Sequence, residues 1–452
     1  MGSRLRADYR IDLSEAGSGL VRFRVEFSGL PPGSALRLPA RLAETGVKVA
    51  GLRAIDGAGK KLRLKTCGER LSVPARSFSL EYSLLISFKE CAGTDKKIDL
   101  LYPFLNGSEL FLGSGALVYP EDLRELAPHL RASLRAAGLP AGWGLFSNMA
   151  EGSVSPAALD SFFLYFSKRS PRVHVYRGLA GVTEFSLLVQ EGKTIPLGAP
   201  GVWAWTDTVM GSLEKYLSPY KGFRKLNILL LQCPADFERL SGGRTFAAGE
   251  NVAGGIAVYT PKSPEYLKRR YGYAGYAYHL RDGLAHELTH FYSTGAWQGR
   301  YKSMLFAAES CPPRQRQLIG ETLTAYLHNG VIRCRAGEKP SFISGKILPV
   351  LDRWAIKSGK RPLLDLFLLD LWLRAGGSSL AGAVRLLLRE YGEKHRPYRS
   401  ALALVRAAEA CRSAALPAPI KKALLTDYAP DYARELAGFQ GWGRPDFNPL
   451  RG

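Results

Sequence analysis

His286-Glu287-Leu-Thr-His290 places two imidazoles four residues apart. On a helix such residues stand one turn apart on the same face. Both rings can then bind one Zn²⁺, with the intervening Glu287 directed at a metal-bound water. A catalytic zinc needs a third protein ligand and an open position for water. Two carboxylates compete for that third place. Glu309 follows His290 after 18 intervening residues, in Phe306-Ala-Ala-Glu-Ser-Cys-Pro-Pro313, beside a helix-breaking Pro pair. Glu321 follows after 30, in Leu318-Ile-Gly-Glu-Thr-Leu-Thr-Ala-Tyr-Leu327, well inside a helical pattern. A rigid helix is the better platform for a ligand, which favours Glu321 and keeps Glu309 as the alternative.

Other residues bear on the same chemistry. Asp282 lies one turn before His286, either as ordinary helix-start charge or as a hydrogen-bond partner of a ligand imidazole. His279 shares that face, but a fourth protein ligand would close the catalytic position. The aromatic run Tyr271–Tyr278 reads as packing under the zinc helix, with a substrate cleft as the other use. The six cysteines form no CxxC pair, which argues against a thiolate zinc site. Their even number permits local disulfides, Cys67–Cys91 and Cys311–Cys334, with buried free thiols as the alternative.

The elements that must carry these residues follow from hydrophobic period. Alternation through Tyr9, Ile11 and Leu13 and through Val21, Phe23, Val25 and Phe27 predicts half-buried strands. Similar runs at 46–54, 60–66, 76–88 and 97–104, with turn signals between them, predict a β-sandwich. The stretch 120–143 mixes a short helix after Glu121 with a strand through Leu130, Ala132 and Leu134. Val202–Tyr216 is apolar at helical spacing, Leu226–Gln232 is a buried strand, and Gly254–Thr260 is a strand at an edge. Helices are expected at 276–294 and 314–328, then at 344–357, 363–374, 379–391, 397–412 and 418–437. The expected fold class is therefore α+β and multidomain, with boundaries at 1–165 (β-sandwich), 166–340 (zinc domain with a small sheet) and 341–452 (helical bundle).

Bulk composition narrows the partners. A 452-residue chain with 46% apolar residues can bury sizeable cores, so disorder is not indicated. The net charge of +22 raises the prior for acidic partners, but the basic residues are dispersed and Lys268-Arg269-Arg270 is among the densest runs. No specific nucleic-acid binding is expected. No stretch of 18 apolar residues marks a transmembrane helix. Met1-Gly2-Ser3 reads as a cloning remnant; a periplasmic or secreted location follows if a signal peptide was removed, and a cytoplasmic one otherwise.

Glu321-Thr-Leu-Thr-Ala-Tyr326-Leu resembles the Glu-Gly-Phe-Thr-x-Tyr-Tyr segment of the glycyl aminopeptidase family, gluzincin peptidases with a thermolysin-like catalytic domain. The likeness extends to the Leu-rich stretch Leu366–Arg374, to Gly376-Gly-Ser-Ser-Leu380 and to Leu386–Tyr391. The N-terminal strands and Pro140-Ala-Gly-Trp143 are similar to the family's β-domain. The resemblance implies His286, His290 and Glu321 as zinc ligands and Glu287 as the general base. It implies Zn²⁺ as cofactor and a peptide or protein as substrate, with Gly254, Gly255, Ile256 and Ala257 as the strand that holds it.

Two departures stand out. The family's Gly-Gly-x-Glu-His motif captures the substrate amine through its Glu, whereas Gly254-Gly-Ile-Ala257-Val258 has Ala at that place, with Glu250 nearby. An edge strand can still hold an extended peptide by backbone pairing. The family's Tyr-x-Lys-Gly motif, a hydrogen-bond donor to the tetrahedral intermediate, is replaced by Lys357-Ser-Gly-Lys-Arg-Pro362; His395, Tyr391 and Tyr398 are the substitutes to consider. The expectation is a zinc metallopeptidase, aminopeptidase-like without the usual amine-binding Glu. The alternative is a peptide-binding protein on a peptidase scaffold that keeps zinc but cleaves little or nothing.

Overall fold

The computed structural model describes residues 5–86, 104–147, 159, 163–192, 198–218, 224–232, 248–260, 280–293, 306, 311–336, 361–393 and 398–439, with breaks at 32, 39–46, 69, 107–108, 114–115, 127–128 and 253–254. The period-2 pattern of the first residues becomes β1 (Arg6–Asp12) and β2 (Leu20–Ser28). Tyr9, Ile11, Val21, Phe23, Val25 and Phe27 point inward and are buried. With β4 (Val47–Ile55), β5 (Lys61–Leu62), β8 (Phe78–Ile86) and β12 (Arg131–Ala137) they form a six-stranded sheet, order β12-β1-β2-β8-β4-β5. Strand β12 pairs parallel with β1, Arg131 opposite Arg6, so the chain between must return over the sheet.

That excursion, with two strands that follow β12, builds two further four-stranded sheets. One is β11-β3-β7-β6, from β3 (Ala35–Arg37), β6 (Lys65–Cys67), β7 (Arg70–Ser72) and β11 (Tyr119–Pro120). The other is β13-β14-β10-β9, from β9 (Phe104–Asn106), β10 (Glu109–Gly113), β13 (Trp143–Ser147) and β14 (Phe163–Lys168). The N-terminal β region thus has three sheets where two were expected, because short strands with frequent turns cannot extend the long sheet. They share one core, which joins Val25 and Leu84 to Leu36, Leu71, Phe111 and Phe166.

A five-stranded sheet comes next, order β15-β16-β17-β19-β18, from β15 (Val173–Ala180), β16 (Thr183–Gln190), β17 (Arg224–Gln232), β18 (Ala248–Val252) and β19 (Gly255–Thr260). Strands β16, β17 and β19 run parallel, and the two outer strands are antiparallel to their neighbours. The apolar run of β17 has work on both faces. Leu226, Ile228 and Leu230 enter the helical core, while Leu229 and Leu231 enter the core of the N-terminal sheets. Gly181, at φ +55°, turns β15 into β16, and a Cβ there would meet Glu214 Oε2 at 2.9 Å. Strand β19 is not the expected edge: β18 covers its outer side, with Val252 opposite Gly255 and only two residues between them.

Helix α1 (Leu123–Leu126) is short, and α2 (Gly198–Leu217) packs on the five-stranded sheet. The His pair lies on α3, helical over 280–293. Helix α4 runs from Pro313 to Ala336, with a π-helical segment at Gln317–Thr322 between two α-helical parts. Then come α5 (Arg361–Arg374), α6 (Leu380–Glu393), α7 (Ala401–Arg412), α8 (Ala418–Leu425) and α9 (Tyr432–Ala437). The single helix expected over 418–437 is two, divided before Pro430. Helix 344–357 lies outside the described residues. Cys67, Cys311 and Cys411 are free thiols, which leaves both local pairings unmade. Among the described residues no helix is long and apolar enough to cross a membrane.

The C-terminal helices share one core with the five-stranded sheet and with α3 and α4. Helix α5 is apolar all round and buried along its length, as such a helix must be. Its two buried carboxylates are fully partnered. Asp370 accepts from the Tyr326 hydroxyl (2.8 Å), Arg374 Nε (3.0 Å) and the Leu380 amide (2.7 Å). Asp365 accepts from Arg314 (2.8 Å) and the Tyr432 hydroxyl (2.7 Å). Both Tyr326 and Arg314 belong to α4, so α5 fixes that helix at two points.

Burial pushes the Asp365 carboxyl up to about 6, against the opposing pull of Tyr432 and Arg314. A carboxyl raised above its ordinary value stabilises the fold fully when protonated, and that contribution is lost as pH rises through the folded-state value. In Asp365→Asn, which cannot ionise, the melting temperature relative to wild type should therefore rise between about pH 4 and about pH 7. Thermal unfolding at the two pH values checks this; a constant difference would refute it.

Candidate metal centre

The two ligand helices meet because each is held by groups on other elements. On α3, the Tyr292 hydroxyl donates to buried Glu214 of α2 at 2.7 Å, and Thr183 of β16 donates to the same Glu214 oxygen. Leu284, Ala285, Leu288 and Phe291 turn into the core. This leaves His286 and His290 on the opposite side, only 22% and 10% exposed at the side chain. Their Nε2 atoms lie 3.1 Å apart. On α4, the π-helical turn presents Glu321, whose Oε2 is 3.5 Å from His286 Nε2 and 3.6 Å from His290 Nε2.

These three atoms can hold one metal ion. The circle through them has a radius of about 2.0 Å, against bonds of about 2.0–2.2 Å from Zn²⁺ to His nitrogen and carboxylate oxygen. The donor set, two imidazoles and one carboxylate, is that of a catalytic zinc site. Glu321 is 69% exposed at its side chain, so the centre opens to solvent on that side. Imidazole hydrogen bonding, from His286 and then His290, holds the Glu321 carboxyl well below the usual carboxylate range. Burial pulls the His286 imidazole down, but Glu321, Glu287 and Asp282 outweigh it and the net shift is upward. Burial raises the Glu287 carboxyl, against the opposing charges of His290 and His286, and moves it toward the range of a general base near neutral pH.

Each imidazole has a support on its far nitrogen. Thr324 donates its hydroxyl to the Gly320 carbonyl (2.9 Å), so its oxygen is free to accept from His290 Nδ1 at 3.1 Å. His286 Nδ1 lies 3.4 Å from His328 Nδ1, and His328 Nε2 lies 3.0 Å from Asp282 Oδ1. Both contacts can take the ring proton onto Nδ1, which frees Nε2 of each ring to bind a metal ion. Asp282 thus reaches the site through His328 rather than directly. His328 is not among the residues that spacing singles out; the signal for it is its place two turns beyond Glu321 on the same helix.

The other candidate residues are more scattered. Glu309, Gly254, His279, Tyr271–Tyr278 and His395 lie outside the described residues. Gly255, Ile256 and Ala257 lie on β19, where Ala257 is paired in register with Leu229 on one side and Glu250 on the other. Tyr398 is buried against Phe306, with no hydrogen bond to its hydroxyl among the described residues. Tyr391 meets it edge-on at 5.5 Å. Lys357–Lys360 are outside the described residues, and Arg361 and Pro362 begin α5.

If Thr324 fixes His290, Thr324→Val should weaken Zn²⁺ binding by about 10-fold or more while the apo protein stays folded. Competition with a chromophoric chelator reads the affinity, and circular dichroism the fold. Unchanged affinity would show that the hydroxyl does not support the ligand.

No protein-family model and no curated protein matches the sequence. Solved structures do match. An aminopeptidase N family protein from Idiomarina loihiensis superposes with a TM-score of 0.61 at 11% identity, over 95% of this chain and 78% of that one. An M1 zinc metallopeptidase from Deinococcus radiodurans gives 0.53 at 13% identity, over 95% of each chain. A variant of that enzyme bound to a Tyr-Ser-Ala substrate gives 0.51 at 13% identity, over 100% of this chain and 96% of that one. At such identities the match speaks to architecture, and the chain has the fold of a gluzincin aminopeptidase.

Proposed function

We propose that the protein is a zinc-dependent peptidase that hydrolyses peptide bonds at the His286–His290–Glu321 centre. The observation that carries this reading is the triangle of ligand atoms, whose size and donor types fit Zn²⁺, on a fold shared with zinc metallopeptidases. Bound there, Zn²⁺ would supply Lewis acidity and lower the pKa of a coordinated water to about 7. The chain's own residues do the rest. His286, His290 and Glu321 hold the ion from one side and leave the other open. Glu287, neighbour in sequence to a ligand and raised by burial, takes a proton from water and returns it to the departing amine.

Peptide as the substrate class is supported by the tripeptide complex of the Deinococcus enzyme. Ala257 carries no charge for an amine, but its register partner on the outer strand is Glu250. Glu250 is the residue we put forward for amine capture, a role that would make the enzyme an aminopeptidase. The outer strand β18, rather than β19, is the one whose outer side an extended peptide would pair with.

Glu287→Gln should keep its zinc and lose about 10²–10⁴-fold in turnover, measured on a peptide library by mass spectrometry with metal content in parallel. Equal cleavage by the two proteins, or none by either, would sink the enzyme reading and leave a zinc-holding peptide binder. Glu250→Gln should lose about 10–100-fold in kcat/KM on peptides with a free amine, the worth of one charged hydrogen bond of about 1.5–3 kcal/mol, and nothing on N-acetylated ones. Parallel losses on both substrate types would remove Glu250 from amine capture.

A further inference from the structure

We infer that Asp282 and His328 form a relay that positions His286 and sets the zinc affinity of the centre. The inference rests on the zinc reading above and adds to it two residues that touch neither metal nor substrate.

Proton placement along the chain of contacts leaves little freedom. His286 can present Nε2 to a cation only if its own proton sits on Nδ1. That Nδ1–H faces His328 Nδ1 at 3.4 Å, which must then be an acceptor. His328 therefore carries its proton on Nε2, where Asp282 Oδ1 accepts it at 3.0 Å. Asp282 fixes the tautomer of His328, and His328 fixes the tautomer of His286. The two rings stand nearly perpendicular, at 86°, with centroids 5.1 Å apart, so the acceptor lone pair of one ring can meet the N–H edge of the other. His328 is 6% exposed, which shields its ring from competing water, while the Asp282 side chain is 29% exposed. A carboxylate behind an imidazole raises its basicity toward a metal; here the effect of Asp282 passes through a second imidazole.

The relay also ties the two ligand helices to each other. Asp282 and His286 belong to α3, and His328 belongs to α4 with Glu321. The same contacts that orient one ligand thus set the distance between the helices that supply all three.

The test is zinc affinity of the apo protein, read by competition with a chromophoric chelator, with folding of each variant read by circular dichroism. His328→Phe keeps a planar ring but cannot accept, and should weaken Zn²⁺ binding about 10–100-fold. His328→Asn can place its Oδ1 near the position of the ring Nδ1, and should recover most of that loss. Asp282→Ala should weaken binding in wild type but add nothing to His328→Phe, since the two act in series. In ¹⁵N-histidine spectra of the zinc-loaded wild type, His286 should carry its proton on Nδ1 and His328 on Nε2. Wild-type affinity in His328→Phe, equal losses in the Phe and Asn variants, or additive losses with Asp282→Ala would overturn the relay while leaving the zinc centre standing. A wild type that binds no Zn²⁺ would overturn both.

Discussion

Three electron-pair donors aimed at one point are the arrangement on which the rest of this structure bears. Two imidazole nitrogens 3.1 Å apart, with a carboxylate oxygen within 3.6 Å of each, stay together only with a proton or a metal ion among them. They converge because every neighbouring group has removed an alternative. Thr324 and His328 occupy the far nitrogens of the rings, and the α3 backbone is pinned by the Tyr292–Glu214 contact. The rest of the fold can be understood as what it takes to hold that geometry.

The holding is done by burial more than by charge. The five-stranded sheet is covered on both faces, by helices on one and by the N-terminal sheets on the other. Helix α5 then serves as a central post. Its apolar surface is surrounded, and its two carboxylates clamp α4 through Tyr326 and Arg314. Removing a partner from a buried charge costs more than the pair contributes when intact, so these contacts specify where α4 lies more than they stabilise it.

Much of this is legible in the sequence where a single period or a short spacing carries it. The His pair, the helix beneath it, the strands from Tyr9 to Phe27 and the buried strand at Leu226 each follow from local patterns. The preference for Glu321 over Glu309 rests on helical context, and the structure brings Glu321 to both rings. Long-range facts stay hidden. Nothing local says that β12 pairs with β1, or that short strands would form two sheets of their own. The edge position expected for Gly254–Thr260 fails because the polar strand β18 carries no apolar period to announce its pairing with β19. Asp282 meets not a ligand ring but an imidazole contributed 46 residues later. Such a contact depends on the packing of two helices, which no window of sequence contains.

The π-helical turn at Gln317–Thr322 has a consequence for how this chain can change. Wider turns of this kind amount to one residue more than the α-helix needs. Loss of a single residue there would close the segment to a regular α-helix with its flanking turns still in phase, so Arg314 and Tyr326 could keep their places. The core could absorb that, but the Glu321 carboxylate, which the wide turn presents, would no longer stand where it meets both rings. The length of this turn, independent of which side chains fill it, is therefore a functional variable. Insertions and deletions would expose it, and a scan of substitutions would miss it.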